Sequence, residues 1–379
     1  MYDNQPPKLL YKKSMKILIL ANNDMGLYKF RKELLETLLE EHEVYICLPD
    51  GEFIKKMVSM GCKFVPCNLL DRHGINPIKE FKLMHWYKQI LKKYNPDIVF
   101  TYTIKPNVYG GAACARQKIP YVVNITGLGT AVENSGLLQK ITLCLYRYGL
   151  RKAQKIFFQN TDNRDFMLSH HIIKGNYDLL PGSGVNVSQY QVENYPNNDT
   201  IDFVFIARVM KEKGIEQYLD AAKAISKRHS ETRFHICGFC EQDYREQLED
   251  LQKQGIIIYH GLVSDMTSIY KMASCTVHPT YYPEGLSNVL LESAASGRPI
   301  ITTNRSGCRE VVEDGINGFV VKEKSSTDLI DKIERFLTLS WTERRNMGLA
   351  GRKKIELEFD RKIVVEKYLA EIKEYEKII

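Results

Sequence analysis

Short apolar runs alternate with longer amphipathic ones along most of this chain. Residues 15–21, MKILILA, are uniformly apolar over the length of one strand, the pattern of a parallel strand buried on both faces. Residues 22–26 supply a turn, and residues 28–41 place Leu34, Leu35, Leu38 and Leu39 on one face of a helix. The alternation continues with strands at 44–48, 63–65, 98–101 and 121–124 and helices at 53–60, 77–94 and 108–116. A second series begins near residue 201. Its strands fall at 202–207, 233–237, 256–259, 275–278 and 300–303, with a last one near Phe319, and its helices at 215–228, 244–254 and 266–272. Between the two series lies PGSGVNVSQYQVENYPNNDT, a Gly, Pro and Asn cluster of linker character. An amphipathic helix over 360–375 closes the pattern. Repeated strand and helix units predict two doubly wound α/β domains with ligands at the carboxyl ends of the strands. The expected division is a loose leader over 1–14, a first domain over 15–180 and a second over 181–359.

The most informative stretch is residues 279–299, PTYYPEGLSNVLLESAASGRP. Pro279, Pro283 and Gly285 are turn residues, the run from Leu286 to Ala295 is rich in helix formers, and Gly297 and Pro299 stop it. Glu284 stands just ahead of the helix and Glu292 two turns in. Gly285, Leu286 and Ser287 are expected to offer backbone N–H groups at the helix N-terminus, a place suited to phosphate. An anion site with one carboxylate beside it and another along the helix suits a sugar nucleotide.

That spacing resembles the Glu, seven residues, Glu signature of retaining glycosyltransferases with the two-Rossmann-domain GT-B architecture, in the large family numbered four. Residues 300–320, IITTNRSGCREVVEDGINGFV, are similar to the family's following strand, Glu310 and DGxNG turn, and residues 203–214, FVFIARVMKEKG, to its strand and paired basic site, Arg208 and Lys213. The resemblance implies a cleft between the two domains and a last helix that crosses back to the first. It implies that Arg208 and Lys213 stabilise the leaving diphosphate, as charge developing there requires. Glu292 would accept the ribose hydroxyls and Glu284 would meet a donor-sugar hydroxyl, while the base would rest near Gly238 and the HGLV segment, at Val263. Taken alone, Arg208 and Lys213 also fit two surface cations, Glu284 a carboxylate favouring the helix dipole, and Glu292 a solvated acid. Cys237 and Cys240 form a CxxC after a strand, but they stand where the family has a glycine-rich loop.

In the first domain the family's glycine-rich loop is reduced to Gly26. The family's donor-contacting histidine is absent, with TYTIKPN in its place, so Thr103 and Lys105 become acceptor-side candidates; Lys105 fits a phosphate contact or an exposed loop lysine equally. Gly127 and Gly129 in NITGLGT suit either phosphate binding or a flexible acceptor loop. TYTIKPN and NITGLGT together resemble a subgroup that extends lipid-linked saccharides, including enzymes adding N-acetylgalactosamine to undecaprenyl diphosphate sugars.

Charge sharpens the acceptor side. Up to residue 180 there are 26 Lys and Arg against 16 Asp and Glu, whereas the remainder carries 27 against 30. A basic first half fits nucleic acid, anionic lipid or a phosphorylated acceptor. The chain contains nothing like a nucleic-acid module, which favours lipid or phosphate. Residues 137–156, if helical, align Lys140, Arg147, Arg151 and Lys155 beside Leu138, Ile141, Leu145 and Tyr148, a pattern shared by lipid-surface helices and by ordinary domain helices with a charged face. Residues 77–94, with Phe81, Trp86 and Tyr87 among lysines, fit the same two readings. A composition of 44% apolar and 26% charged residues describes an ordinary globular protein, and no apolar run is long enough to span a bilayer. Nine cysteines without a framework fit a reducing compartment.

Together with these observations, the resemblance implies a metal-independent, retaining enzyme that moves a hexose or N-acetylhexosamine from a UDP-sugar to a polyprenyl-diphosphate-linked saccharide. It would need no cofactor and would sit in the cytoplasm, peripheral at the inner membrane face, serving surface polysaccharide assembly. A soluble acceptor, a UDP-sugar 2-epimerase and a non-catalytic nucleotide-sugar binder are the alternatives.

Overall fold

The computed structural model describes residues 14–70, 76–132 and 135–377, so all but the last residue of the expected leader lies outside the described residues. The first series consists of β1 (Lys16–Leu20), α1 (Asp24–Glu41), β2 (Glu43–Leu48), α2 (Ile54–Met60), β3 (Lys63–Pro66), α3 (Pro77–Tyr94), β4 (Ile98–Tyr102), α4 (Gly111–Gln117) and β5 (Tyr121–Ile125). It continues with α5 (Leu137–Leu150), β6 (Lys155–Phe158), α6 (Thr161–Ser169) and β7 (Tyr177–Leu179). These strands form a seven-stranded sheet in the order β3-β2-β1-β4-β5-β6-β7. The registers of β1 with β2 and β4, and of β4 with β5, are parallel. All residues of β4 and β5 are buried, as a strand covered on both faces requires.

The second series consists of β8 (Ile201–Ile206), α7 (Ile215–Ser226), β9 (Thr232–Cys237), α8 (Arg245–Lys253), β10 (Ile258–Gly261), α9 (Met266–Met272), β11 (Cys275–His278), α10 (Asn288–Ala295), β12 (Ile300–Thr303) and β13 (Gly318–Val321). Three helices follow, α11 (Ser326–Thr338), α12 (Trp341–Glu358) and α13 (Arg361–Glu376). The six strands pair as β10-β9-β8-β11-β12-β13. On one face Phe203, Phe205, Phe234 and Ile236 pack with Tyr218, Leu219 and Phe336. On the other, Val204, Ile206 and Cys237 meet Ile269 and Tyr270.

By internal contacts the chain forms two compact units, one of residues 1–124 with 148–155 and one of 125–147 with 156–379. Within the second, α13 returns to strands of the first series, as expected. Tyr368 packs on Phe157 with ring centroids 5.1 Å apart, and Lys367 Nζ reaches Asp178 Oδ2 at 2.6 Å and donates to the Leu179 carbonyl.

The helix expected over 137–156 ends at Leu150, and Lys155 opens β6. The reason is tertiary. Gly149 lies against the Val108 backbone, and the Gln154 N–H donates to the Tyr121 carbonyl, so the chain has already turned into the sheet. The four-residue run KIFF was too short to separate from the preceding helix by its pattern. Strand β7 is half exposed and carries no buried alternation to announce it.

Candidate active site

Three loops at the carboxyl ends of β8, β9 and β11 carry most of the expected donor-side residues. After β8 the chain passes Arg208 and makes a tight helical turn, Lys211–Lys213, which leaves Lys213 buried. The loop after β11 is stitched to that turn, since the Tyr281 N–H donates to the Glu212 carbonyl at 2.9 Å and Thr280 Oγ1 donates to the same oxygen. The stitching brings Lys213 Nζ onto Glu284 Oε1 and sets both cations over one ring, Lys213 at 4.8 Å and Arg208 at 5.5 Å from the centroid of Tyr282. Arg208 Nη1 also contacts Glu241 Oε2 at 2.6 Å. Burial, and after it the Arg208 guanidinium, push the Lys213 ammonium down to about 8. The Glu241 carboxylate opposes that shift.

The turn before α10 is held from the first series. Asn160 Nδ2 donates to the carbonyls of Glu284 and Gly285, at 3.1 and 2.5 Å. A side chain at Gly285 would collide with Gln159 and with the Thr126 carbonyl, so this close approach needs glycine. Gly127 lies against the same turn, and Gly129 follows it with a left-handed φ of 79°. The helix begins at Asn288 with Ser287 as its N-cap. The Ser287 N–H, expected to be open to a phosphate, instead donates to the Gly307 carbonyl at 2.8 Å, because the loop after β12 folds over it. Ser287 Oγ meets Nε2 of buried His278 at 3.2 Å. Burial, and next the Lys213 charge, lower that imidazole to about 3, so it is neutral.

Glu292 is half-buried and accepts from Tyr270 Oη at 3.0 Å, which replaces the solvated-acid alternative with a fixed carboxylate. Gly238 has φ 151° and its Cα faces the Ala207 carbonyl too closely for any side chain. Its N–H donates to the Gly261 carbonyl at 2.7 Å, joining the two segments expected to border the base. Val263 packs on the Ile206, Ile269 and Tyr270 cluster. Cys237 and Cys240 are free thiols, and burial raises Cys237 to about 12, far from the thiolate a redox pair uses.

The remaining candidates lie in the first unit. The Gly26 N–H donates to Oδ1 of Asn23, the N-cap of α1, at 2.6 Å, so it caps a helix instead of standing open in a loop. Thr103 has a left-handed φ of 70°, unusual for a β-branched residue, with its hydroxyl oxygen buried. Lys105 Nζ is paired with Glu80 Oε1 at 2.6 Å, and both side chains are largely buried, so it is not the exposed loop lysine of one alternative. Among the described residues no three His, Cys, Asp or Glu side chains group as a metal site.

Sequence reasoning missed Tyr282, Glu241, Asn160 and His278. Tyr282 lies inside the quoted PTYYPEG stretch, and its neighbourhood was a signal. Glu241 and Asn160 act across long sequence separations, which no local pattern reports, and His278, nine residues before Ser287, was read only as the end of a buried strand.

The family description "Glycosyl transferases group 1" matches residues 188–354, and "Glycosyl transferase 4-like" matches residues 16–160. The chain is 24% identical over 384 residues to the N,N'-diacetylbacillosaminyl-diphospho-undecaprenol alpha-1,3-N-acetylgalactosaminyltransferase of Campylobacter jejuni, covering 96% of this chain and 99% of that one. It is 23% identical to the capsular polysaccharide biosynthesis glycosyltransferase CapM of Staphylococcus aureus, over 93% and 96% of the two chains. Among solved structures, a glycosyltransferase from Rickettsia africae superposes with a TM-score of 0.80 at 19% identity, covering 96% and 99%. Anabaena HepE in complex with UDP and glucose superposes with a TM-score of 0.77 at 15% identity, covering 94% and 99%.

Proposed function

Because this chain belongs to the group 1 glycosyl transferases and has the GT-B fold, we propose that it transfers a hexose or N-acetylhexosamine from a UDP-sugar, with retention, to a polyprenyl-diphosphate-linked saccharide. The observation that carries the donor side is the pair Arg208 and Lys213, both set over Tyr282 and beside Glu284. Sugar transfer leaves a nucleoside diphosphate whose oxygens gain negative charge as the glycosidic bond breaks. Two positioned cations stabilise that charge more in the transition state than in the ground state. Glu292, oriented by Tyr270, supplies acceptor oxygens for ribose hydroxyls. Glu284, freed from Lys213 when phosphate arrives, accepts from a sugar hydroxyl. HepE, solved with UDP and glucose, supports the choice of UDP. The C. jejuni and S. aureus relatives, named for a diphospho-undecaprenol substrate and for capsular polysaccharide, support the acceptor class.

Helix α5 supports a lipid-side acceptor. Leu137, Leu138, Ile141 and Tyr148 are exposed large apolar residues, with Lys140, Arg147, Arg151 and Lys152 exposed among them. Residues 137–152 contain no acid. Such a face suits the boundary of an anionic bilayer. No described helix is long and apolar enough to cross a membrane.

The test is UDP release by purified protein from a panel of UDP-sugars, with and without a lipid extract containing polyprenyl diphosphate saccharides. Lipid-dependent release with one donor is the expected result. Lipid-independent release points to hydrolysis, epimerisation or a soluble acceptor, and the absence of release with every donor refutes the assignment.

A further inference from the structure

Neither cation of the donor site is free, and the two are held differently. Lys213 and Glu284 are nearly sealed, with side chains 10% and 16% exposed, whereas Arg208 and Glu241 are each 34% exposed and open to an incoming ligand. We propose that Glu241 is an internal counter-ion which occupies the diphosphate's place on Arg208 and sets how tightly the nucleotide product is held. This rests on the nucleotide-sugar reading above.

The loop carrying Glu241 is built to put it there. Its own N–H donates to the Val209 carbonyl at 3.1 Å, and the Val209 N–H donates to the Phe239 carbonyl at 2.9 Å. Cys240 bridges Val209 in parallel register. Gln242 ties down the far side, accepting from the Lys211 N–H at 2.8 Å and donating to Glu212 Oε2 at 3.2 Å. The loop after β9 is therefore fastened to the loop after β8 at Val209, Lys211 and Glu212, immediately after Arg208, and the 2.6 Å contact is no chance meeting of two long surface side chains.

The consequence follows from charge. A diphosphate that docks on Arg208 displaces Glu241, which cannot retreat far because its backbone is pinned. A carboxylate then stands beside the new anion, and their repulsion weakens the bound state. Glu284 has a second task at the donor sugar once Lys213 takes phosphate; Glu241 lies on the phosphate side and has none. It lowers affinity for both donor and product and hastens departure of the product.

The experiment measures binding of UDP, inorganic pyrophosphate and uridine to the full chain by calorimetry and ligand-observed NMR, in the wild type and in Glu241→Gln, Glu241→Ser and Glu241→Asp. Removing the charge in the Gln or Ser variant is expected to tighten UDP and pyrophosphate binding roughly tenfold and leave uridine unchanged. The Asp variant, which keeps the charge, stays near wild type. In turnover the KM for the donor and kcat fall together, as slower product release requires. UDP binding by the Gln and Ser variants that is equal to or weaker than wild type overturns the proposal, and weaker binding would make Glu241 a positioning residue for Arg208. A wild type that binds neither UDP nor pyrophosphate overturns the nucleotide-sugar reading itself, a result distinct from the first. Thermal melting confirms that each variant is folded.

Discussion

Lys213 shows how far a single residue can be read. Its place five residues after Arg208 was legible, and so was the Glu284 turn. Their contact was not, because it depends on the loop after β11 hydrogen bonding to the Glu212 carbonyl. That burial gives Lys213 a testable signature. With the ammonium lowered to about 8, the charged form proposed to hold phosphate is present below that pH and lost above it. UDP affinity is expected to weaken as the pH rises through 8 to 9.5. Binding near pH 8 should take up a proton, visible as a dependence of the calorimetric heat on buffer ionisation enthalpy. A flat profile with no uptake would remove Lys213 from the phosphate. Lys213→Ala should lower turnover by roughly a hundredfold or more, measured at a temperature well below the variant's own melting point because Glu284 loses its partner. Glu292→Ala should weaken UDP binding by roughly tenfold, as loss of a charge-assisted hydrogen bond does, and wild-type affinity in calorimetry would exclude the ribose role.

At the scale of elements, α5 and α10 were both anticipated and both shifted. Helix α10 starts at Asn288, two residues later than expected, since Glu284 to Ser287 are drawn into a turn held by Asn160 and Gly307. In α5 the exposed stripe keeps Lys140 and Arg147, Arg151 follows in the turn just past its end, Lys155 is lost to β6, and Leu145 turns partly inward. Arg151 lies over the Tyr148 ring at 4.6 Å, and Arg147 donates to the His170 carbonyl at 3.2 Å; among the described residues neither pairs with an acid. Each basic residue near an anionic surface contributes about 1 kcal/mol, so replacing both by Gln should reduce co-sedimentation with anionic vesicles by roughly tenfold or more. Unchanged sedimentation would leave α5 an ordinary domain helix. The two outcomes separate cleanly because neutral vesicles supply the baseline.

For the molecule as a whole, Arg298 is the residue whose role no pattern announces. It sits in the SGRP turn that ends α10, where a basic residue suggests solvent, yet it is fully buried. Its guanidinium donates to the carbonyls of Tyr270, Glu193, Asn194 and Lys271, pinning the linker to the end of α9. Arg298→Leu strands those carbonyls away from water, and the expected loss is about 3 kcal/mol or more, read as a lower denaturation midpoint. An unchanged midpoint would show that water or a local shift serves the carbonyls instead.

Two parallel α/β sheets, the glycine and proline punctuation around α10, and the residue types of the proposed donor site follow from the sequence alone. Their signals are local: apolar runs of strand length, helix stops and fixed spacings all act within a few turns of chain. What only the tertiary structure decided are the pairings. Glu241 on Arg208, Glu284 on Lys213, Tyr270 on Glu292, Glu80 on Lys105 and the Gly307 carbonyl on the Ser287 N–H each join distant parts of the sequence. The physical reason is that charge and hydrogen-bonding capacity belong to a residue, whereas the partner that satisfies them is chosen by how the loops at the sheet's end close on one another.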